Sequence, residues 1–145
     1  MPTSTSDRVD LGINRGVAGA FGAVYLVVGV VGFFVTGFSR FADSTNGQSL
    51  AGFAVNPLHN AVHVLVGLAL LAASARLGAA RAVNGLVGAV YLVLGLVGLP
   101  FARPDVSWNV LAVNGFDNVL HLGTAFLLLT VAAATDGRPR SAPRL

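Results

Sequence analysis

The sequence predicts an all-α integral membrane protein: a four-helix bundle built from one transmembrane hairpin written twice. Three observations predict it. Of the 145 residues, 54% are apolar and only 10% are charged, where soluble domains run near a quarter charged. Apolar stretches of bilayer-crossing length recur along the chain, and about 20 such residues span the hydrocarbon core. Finally, Gly22-Ala-Val-Tyr-Leu-Val-Val-Gly-Val-Val-Gly-Phe33 returns as Gly88-Ala-Val-Tyr-Leu-Val-Leu-Gly-Leu-Val-Gly-Leu99, 66 residues later.

Residues 1–15 read as a polar cytoplasmic tail. The next charge after Arg15 is Arg40, and the run Gly16–Phe38 predicts the first helix, residues 16–38. A secretory signal would have an apolar region of only about 7–15 residues, and this run recurs, so it reads as retained. A polar loop follows, with Arg40, Asp43 and the turn signal Asn46-Gly47; Phe38, Phe41 and Phe53 suit the headgroup region. Asn56 is a favoured N-cap, and Pro57 at the first helical position gives up only an unpaired N–H, so the second helix covers 57–75. Arg76 to Arg81 form a basic turn. The third helix, 82–99, is stopped by Pro100. In the second loop Trp108 is an interface anchor. Asn114 caps the fourth helix, 115–135, which closes a transmembrane domain of residues 16–135. Residues 136–145 carry Arg138, Arg140 and Arg144 with two prolines and read as a disordered cytoplasmic tail.

The arginines orient the bundle. Arg8, Arg15, Arg76, Arg81, Arg138, Arg140 and Arg144 fall on one side and only Arg40 and Arg103 on the other. By the positive-inside rule both termini are cytoplasmic in the cell membrane and the two long loops face outward. Nine Arg and no Lys give a sequence pI near 10.6, yet no basic stripe is interleaved with aromatics, so nucleic acid is not a partner. With no Cys, thiolate sites and disulfides are excluded. The lipid bilayer is the partner, with a second copy of the chain or another membrane protein as the further candidates.

The repeat extends beyond the glycine block. Arg15 matches Arg81 at the same offset of 66, while the starts of the second and fourth helices match at 58. Two copies of equal orientation make a parallel repeat about an axis along the membrane normal. Gly22 with Gly29, and Gly88 with Gly95, lie seven apart on one face, and Gly12-x-x-x-Gly16 and Gly19-x-x-x-Ala23 add small pairs. In lipid, close backbone approach over small residues drives helix association.

The polar groups concentrate at two matched places. Asn56-Pro57-Leu58-His59-Asn60-Ala61-Val62-His63 is echoed by Asn114-Gly115-Phe116-Asp117-Asn118-Val119-Leu120-His121, and together they hold all three histidines. Residues four apart share a helix face. If the second and fourth helices face each other, His59, His63, Asp117 and His121 converge near the outer surface. Three imidazoles and a carboxylate suit Zn²⁺, Fe²⁺, Mn²⁺ or Cu²⁺; haem, with His63 and His121 as axial ligands, is the other cofactor such a pair could take. The competing reading is a polar clasp, in which His63 and His121 hydrogen-bond Asn118 and Asn60 across the interface. In that reading His59 and Asp117 sit wet at headgroup depth. Tyr25 and Tyr91 match between the copies near mid-membrane and read as interhelical hydrogen-bonders. At 1.5 Å per residue Tyr25 lies roughly 18 Å from its outer helix end and His63 about 9 Å from its own, which argues against direct contact.

The Asn-Pro-x-His-Asn-x-x-His block, the following Gly67 and the upstream Gly-Ala-Val-Tyr-Leu segment resemble a family of small bacterial four-helix membrane proteins known only as a domain of unknown function, over roughly Arg15 to Ala134. The resemblance implies fold and location and no activity. A looser similarity to DoxX-type membrane proteins implies the same architecture. The sequence thus points to a small polytopic, non-enzymatic binding or scaffold module with an outward-facing His/Asn/Asp cluster. The alternative is a metal- or haem-binding redox accessory, and the third reading is a small transporter or membrane enzyme.

Overall fold

A computed structural model of the chain describes residues 12–44, 48–101 and 107–134. The elements in order are α1 (Gly12–Thr36), β1 (Gln48–Leu50), β2 (Phe53–Val55), α2 (Pro57–Ser74), α3 (Leu77–Phe101) and α4 (Gly115–Ala133). Each of the four helices is long and apolar enough to cross a membrane. Large apolar side chains such as Phe34, Leu65, Leu86, Val119 and Phe126 are exposed on the bundle surface; they are the lipid-facing side chains of a multi-pass membrane protein. The tails expected at both ends lie outside the described residues, apart from the turn of helix at 12–15.

The main departures from the sequence expectation lie at the limits of α1 and α3. α1 begins at Gly12, because Asn14 is fully buried. Its Nδ2 donates to the Val131 carbonyl at 3.0 Å, and Asn84 Nδ2 donates to Asn14 Oδ1 at 3.1 Å and its carbonyl at 3.0 Å. The polar residues that resemble a tail are therefore a contact among α1, α3 and α4. α1 ends at Thr36, where Gly37 adopts φ +63° and its N–H reaches the Phe33 carbonyl at 2.9 Å, a left-handed cap that favours glycine. α3 begins at Leu77, leaving only Ala75 and Arg76 as the connection. Pro100 lies inside α3: one residue from the end, its missing N–H costs a single bond in the last turn.

α1 packs most closely on α2, and α3 on α4. Glycine permits this. A Cβ on Gly22 would lie 2.7 Å from Leu71 N, and one on Gly29 2.8 Å from the Asn60 carbonyl; one on Gly32 would collide with the Asn60 amide, as one on Gly98 would with Asn118. Gly16 has no neighbour within 4 Å, so the Gly12–Gly16 pair is not part of the seam. At the opposite end from the histidines, Arg15 Nε donates to the Ser74 carbonyl at 2.8 Å and Arg81 Nε to the Ala132 carbonyl at 2.7 Å. Each arginine thus satisfies an orphan carbonyl at the C-terminus of its partner helix, where positive charge is also favoured. Arg15→Met, which keeps the stem, is expected to cost about 1 kcal/mol in detergent unfolding; an unchanged midpoint would show that the contact contributes nothing.

The first long loop holds an antiparallel pair, Gln48↔Val55, Ser49↔Ala54 and Leu50↔Phe53. Its turn is Ala51-Gly52, with φ of 52° and 91°; two left-handed residues match the twist of a two-residue hairpin. The Asn46-Gly47 signal lies outside the described residues. In the second loop the exposed Trp108 lines an apolar cleft with Leu94, Val97 and Gly98.

Candidate metal centre

Two asparagine caps set the site. Asn56 is in extended backbone (φ −130°, ψ 173°), and its Oδ1 accepts from His59 N at 2.8 Å. Its Nδ2 donates to the Val110 carbonyl at 2.7 Å and the Asp43 carbonyl at 3.2 Å, so the cap of α2 is tied to both loops. Asn114 does the same for α4: Oδ1 accepts from Phe116 N at 2.9 Å and Asp117 N at 3.1 Å, while Nδ2 donates to the Gly52 carbonyl at 2.9 Å. The β-hairpin thereby lies over both helix starts, and Phe53 meets Phe116 edge-on with ring centroids 6.4 Å apart.

Below the caps the three imidazoles converge. His59 and His63 come from successive turns of α2, with ring centroids 4.4 Å apart, and His121 of α4 lies 6.2 Å from His59. One nitrogen from each ring can be chosen so that all three lie within 4.8 Å of one another. All are buried, at 3%, 4% and 3% exposure. His59 Nδ1 is 3.2 Å from the Ala54 carbonyl, and the Leu111 carbonyl lies beside the same ring. Neither nitrogen of His63, nor Nδ1 of His121, has a hydrogen-bond partner among the described residues. Buried polar atoms are nearly always paired, so each such orphan calls for an explanation.

A family model described as a domain of unknown function, DUF4383, matches residues 15–134. The chain is a DUF4383 protein. Curated proteins and solved structures give no match. The matched span of this DUF4383 chain contains both caps, all three histidines and the glycines against which the site is packed.

Several expectations for the site change. Asp117, read as a fourth ligand, does not join the histidines. Its Oδ2 accepts from Asn114 N at 2.9 Å and Ala54 N at 3.2 Å, completing a capping box that also holds the hairpin. Asp117 and His59 are not wet: they are 2% and 3% exposed, because hairpin and second loop fold over the helix starts. The clasp pairs do not form either. Asn60 Nδ2 donates to Thr36 Oγ1 at 2.9 Å, and Asn118 packs against Gly98, so each asparagine turns onto its own hairpin and away from the opposite histidine.

Tyr25 does touch His63, with ring centroids 5.2 Å apart, and Tyr91 touches His121 at 4.9 Å. The depth difference along the helices is only about 7 Å once α1 ends at Thr36, and the tyrosine side chain itself covers it. The two tyrosine rings meet at 5.4 Å and form the floor of the site. Tyr25 Oη shares a 3.0 Å hydrogen bond with Thr124 Oγ1 of α4. Tyr91's hydroxyl is buried, turned toward Tyr25, and without a hydrogen bond of good geometry among the described residues. Thr124 was not singled out in the sequence; the signal is its hydroxyl where the matched position on α2 carries Val66. Haem between His63 and His121 does not fit this DUF4383 bundle. A macrocycle there would have to displace His59, which lies against both rings.

Proposed function

We propose that this DUF4383 protein is a small binding module of the cell membrane that holds one transition-metal ion between His59, His63 and His121. The observation that carries the reading is the convergence of three buried imidazoles with both nitrogens of His63 unpaired. Neutral imidazole suits zinc, copper, iron and nickel. The Ala54 carbonyl beside His59 Nδ1 supports it, since ligating histidines commonly donate their other ring N–H to a backbone carbonyl. Asp117 acts in this reading as the cap that places His121.

The test is metal analysis of the full-length protein purified in mild detergent. About one transition-metal ion per chain is expected, with His63→Ala reduced at least about tenfold. A parent that carries no such ion, and takes up none of Zn²⁺, Fe²⁺, Mn²⁺ or copper on titration, would leave the cluster as polar packing.

The reading also places both termini in the cytoplasm and the histidines at the outward end, on the seven-to-two distribution of arginines. Cys introduced at the exposed positions Gln48 and Ser107 is expected to react with an impermeant thiol reagent in intact cells, and Cys at Gly78 is not. The reverse pattern would invert the topology. The duplicated hairpin is likewise part of the proposal. Matched arginines reaching matched carbonyls, and matched glycines facing matched asparagines, support a parallel repeat.

A further inference from the structure

We infer that the ion suited to this cluster is monovalent copper in three-coordinate imidazole ligation, in preference to zinc. The inference rests on the metal reading above and names its ligand.

Charge is the first reason. The three converging donors are neutral imidazoles, and no carboxylate atom lies among them. The one acidic side chain in the described helices, Asp117, is occupied by two backbone N–H groups and balances at most one positive charge. The rings are almost fully buried. The Born cost of a buried ion grows with the square of its charge, so a divalent ion costs about four times as much as a monovalent one of similar size. With Asp117 the one carboxylate in the described helices, Cu⁺ can leave its helical surroundings neutral, whereas Zn²⁺ leaves one more positive charge there.

Coordination number is the second. Structural zinc is almost always tetrahedral and four-coordinate, and the cluster offers one nitrogen from each of three rings. The hairpin covers it from above through Ala54, and Tyr25 and Tyr91 close it from below. A closed-shell monovalent copper ion accepts a trigonal set of three nitrogens without a further ligand. Bonds near 2.0 Å require the nitrogens to stand about 3.5 Å apart. Starting from 4.8 Å or less, each ring closes by about 1 Å. His59 presents Nε2 when Nδ1–H donates to Ala54, and His63 is free to present either nitrogen. Among the described residues, the buried Tyr91 hydroxyl, on the ring beside His121 and without a hydrogen bond of good geometry, is a candidate fourth donor for zinc, which makes it the discriminating residue.

The experiment uses the full-length protein in detergent, without oxygen and with a reductant. Cu⁺ is titrated in competition with bicinchoninate, and Zn²⁺ in competition with a zinc-binding dye. One Cu⁺ per chain is expected, held roughly 100-fold more tightly than Zn²⁺, with an X-ray absorption edge of three-coordinate nitrogen ligation. His63→Gln and His121→Gln, checked for helical content and monodispersity, should each lower Cu⁺ affinity at least about tenfold, and Tyr91→Phe, which keeps the ring and removes only the hydroxyl, should lower it less than either. If Zn²⁺ binds as tightly as Cu⁺, or Tyr91→Phe weakens metal binding as the histidine variants do, the copper inference falls and the metal site stands. If neither ion binds, the copper inference falls, and the metal reading falls with it when Fe²⁺ and Mn²⁺ fail to bind as well.

Discussion

Gly67→Ala is expected to destabilise the bundle by about 2–3 kcal/mol, the cost of overfilling a packed interior. The added methyl would lie 2.5 Å from Leu26 N, 2.8 Å from its Cα and 2.9 Å from the Gly22 carbonyl. All three are backbone atoms of α1, so no side-chain rotation relieves the clash and the helices must part. Parting them also moves Asn60 from Gly32, and α2 carries two of the three histidines. The second hairpin supplies the comparison. The position matched to Gly67 at an offset of 58 is Ala125, fully buried, and α3 stands correspondingly farther off: a Cβ on Gly88 would be 3.2 Å from Leu129 N, against 2.7 Å from Leu71 N for Gly22. Gly123→Ala, which meets nothing within 4 Å, is the control and should stay within about 0.5 kcal/mol of the parent. Denaturant unfolding in detergent measures all of these. Equal midpoints for Gly67→Ala and Gly123→Ala would show that α1 and α2 do not meet through backbone.

Asp117→Ala should lower the stability of the metal-free protein by about 1–2 kcal/mol, the usual cost of a lost helix cap. The substitution removes the acceptor for Asn114 N and Ala54 N together. Two donors are orphaned, one at the start of α4 and one on β2, so the loss should come with faster amide hydrogen exchange across residues 48–55. Asp117→Asn retains an oxygen of the same reach and should recover part of both effects. The comparison also separates cap from ligand. A cap is needed whether or not an ion is bound. If Asp117→Ala destabilises only the metal-loaded protein, the carboxylate is a ligand and the capping assignment fails.

Four apolar helices were legible in the sequence because hydropathy and length are local properties. Asn56 and Asn114 are legible for a related reason: a cap acts on the next three residues. What was not legible depended on partners far along the chain. Asn14 and Arg15 look like a tail until Val131 and Ser74 are placed beside them, and Arg81 looks like a turn until it reaches Ala132. The proximity of the histidines could be argued from the repeat, but their surroundings could not. Those surroundings come from the hairpin, whose strands are three residues each and whose turn is Ala-Gly, too short and too plain to stand out. Without it, Asp117 is an unassigned carboxylate beside three imidazoles. With it, the same carboxylate is committed to backbone.

The hairpin also fixes an order of events during synthesis. It precedes α2 in the chain, yet two of its holds, the Asp117 carboxylate on Ala54 and the Asn114 amide on Gly52, arrive 63 and 62 residues later. The third imidazole arrives with them. A nascent chain that has inserted only three helices carries His59 and His63 beneath an unfastened ribbon, with neither a complete donor set nor a roof. Entry of the last helix supplies His121 and fastens the ribbon together. Completion of the histidine cluster and fastening of the ribbon thus both wait for α4, and a product truncated before it keeps only the His59–His63 pair.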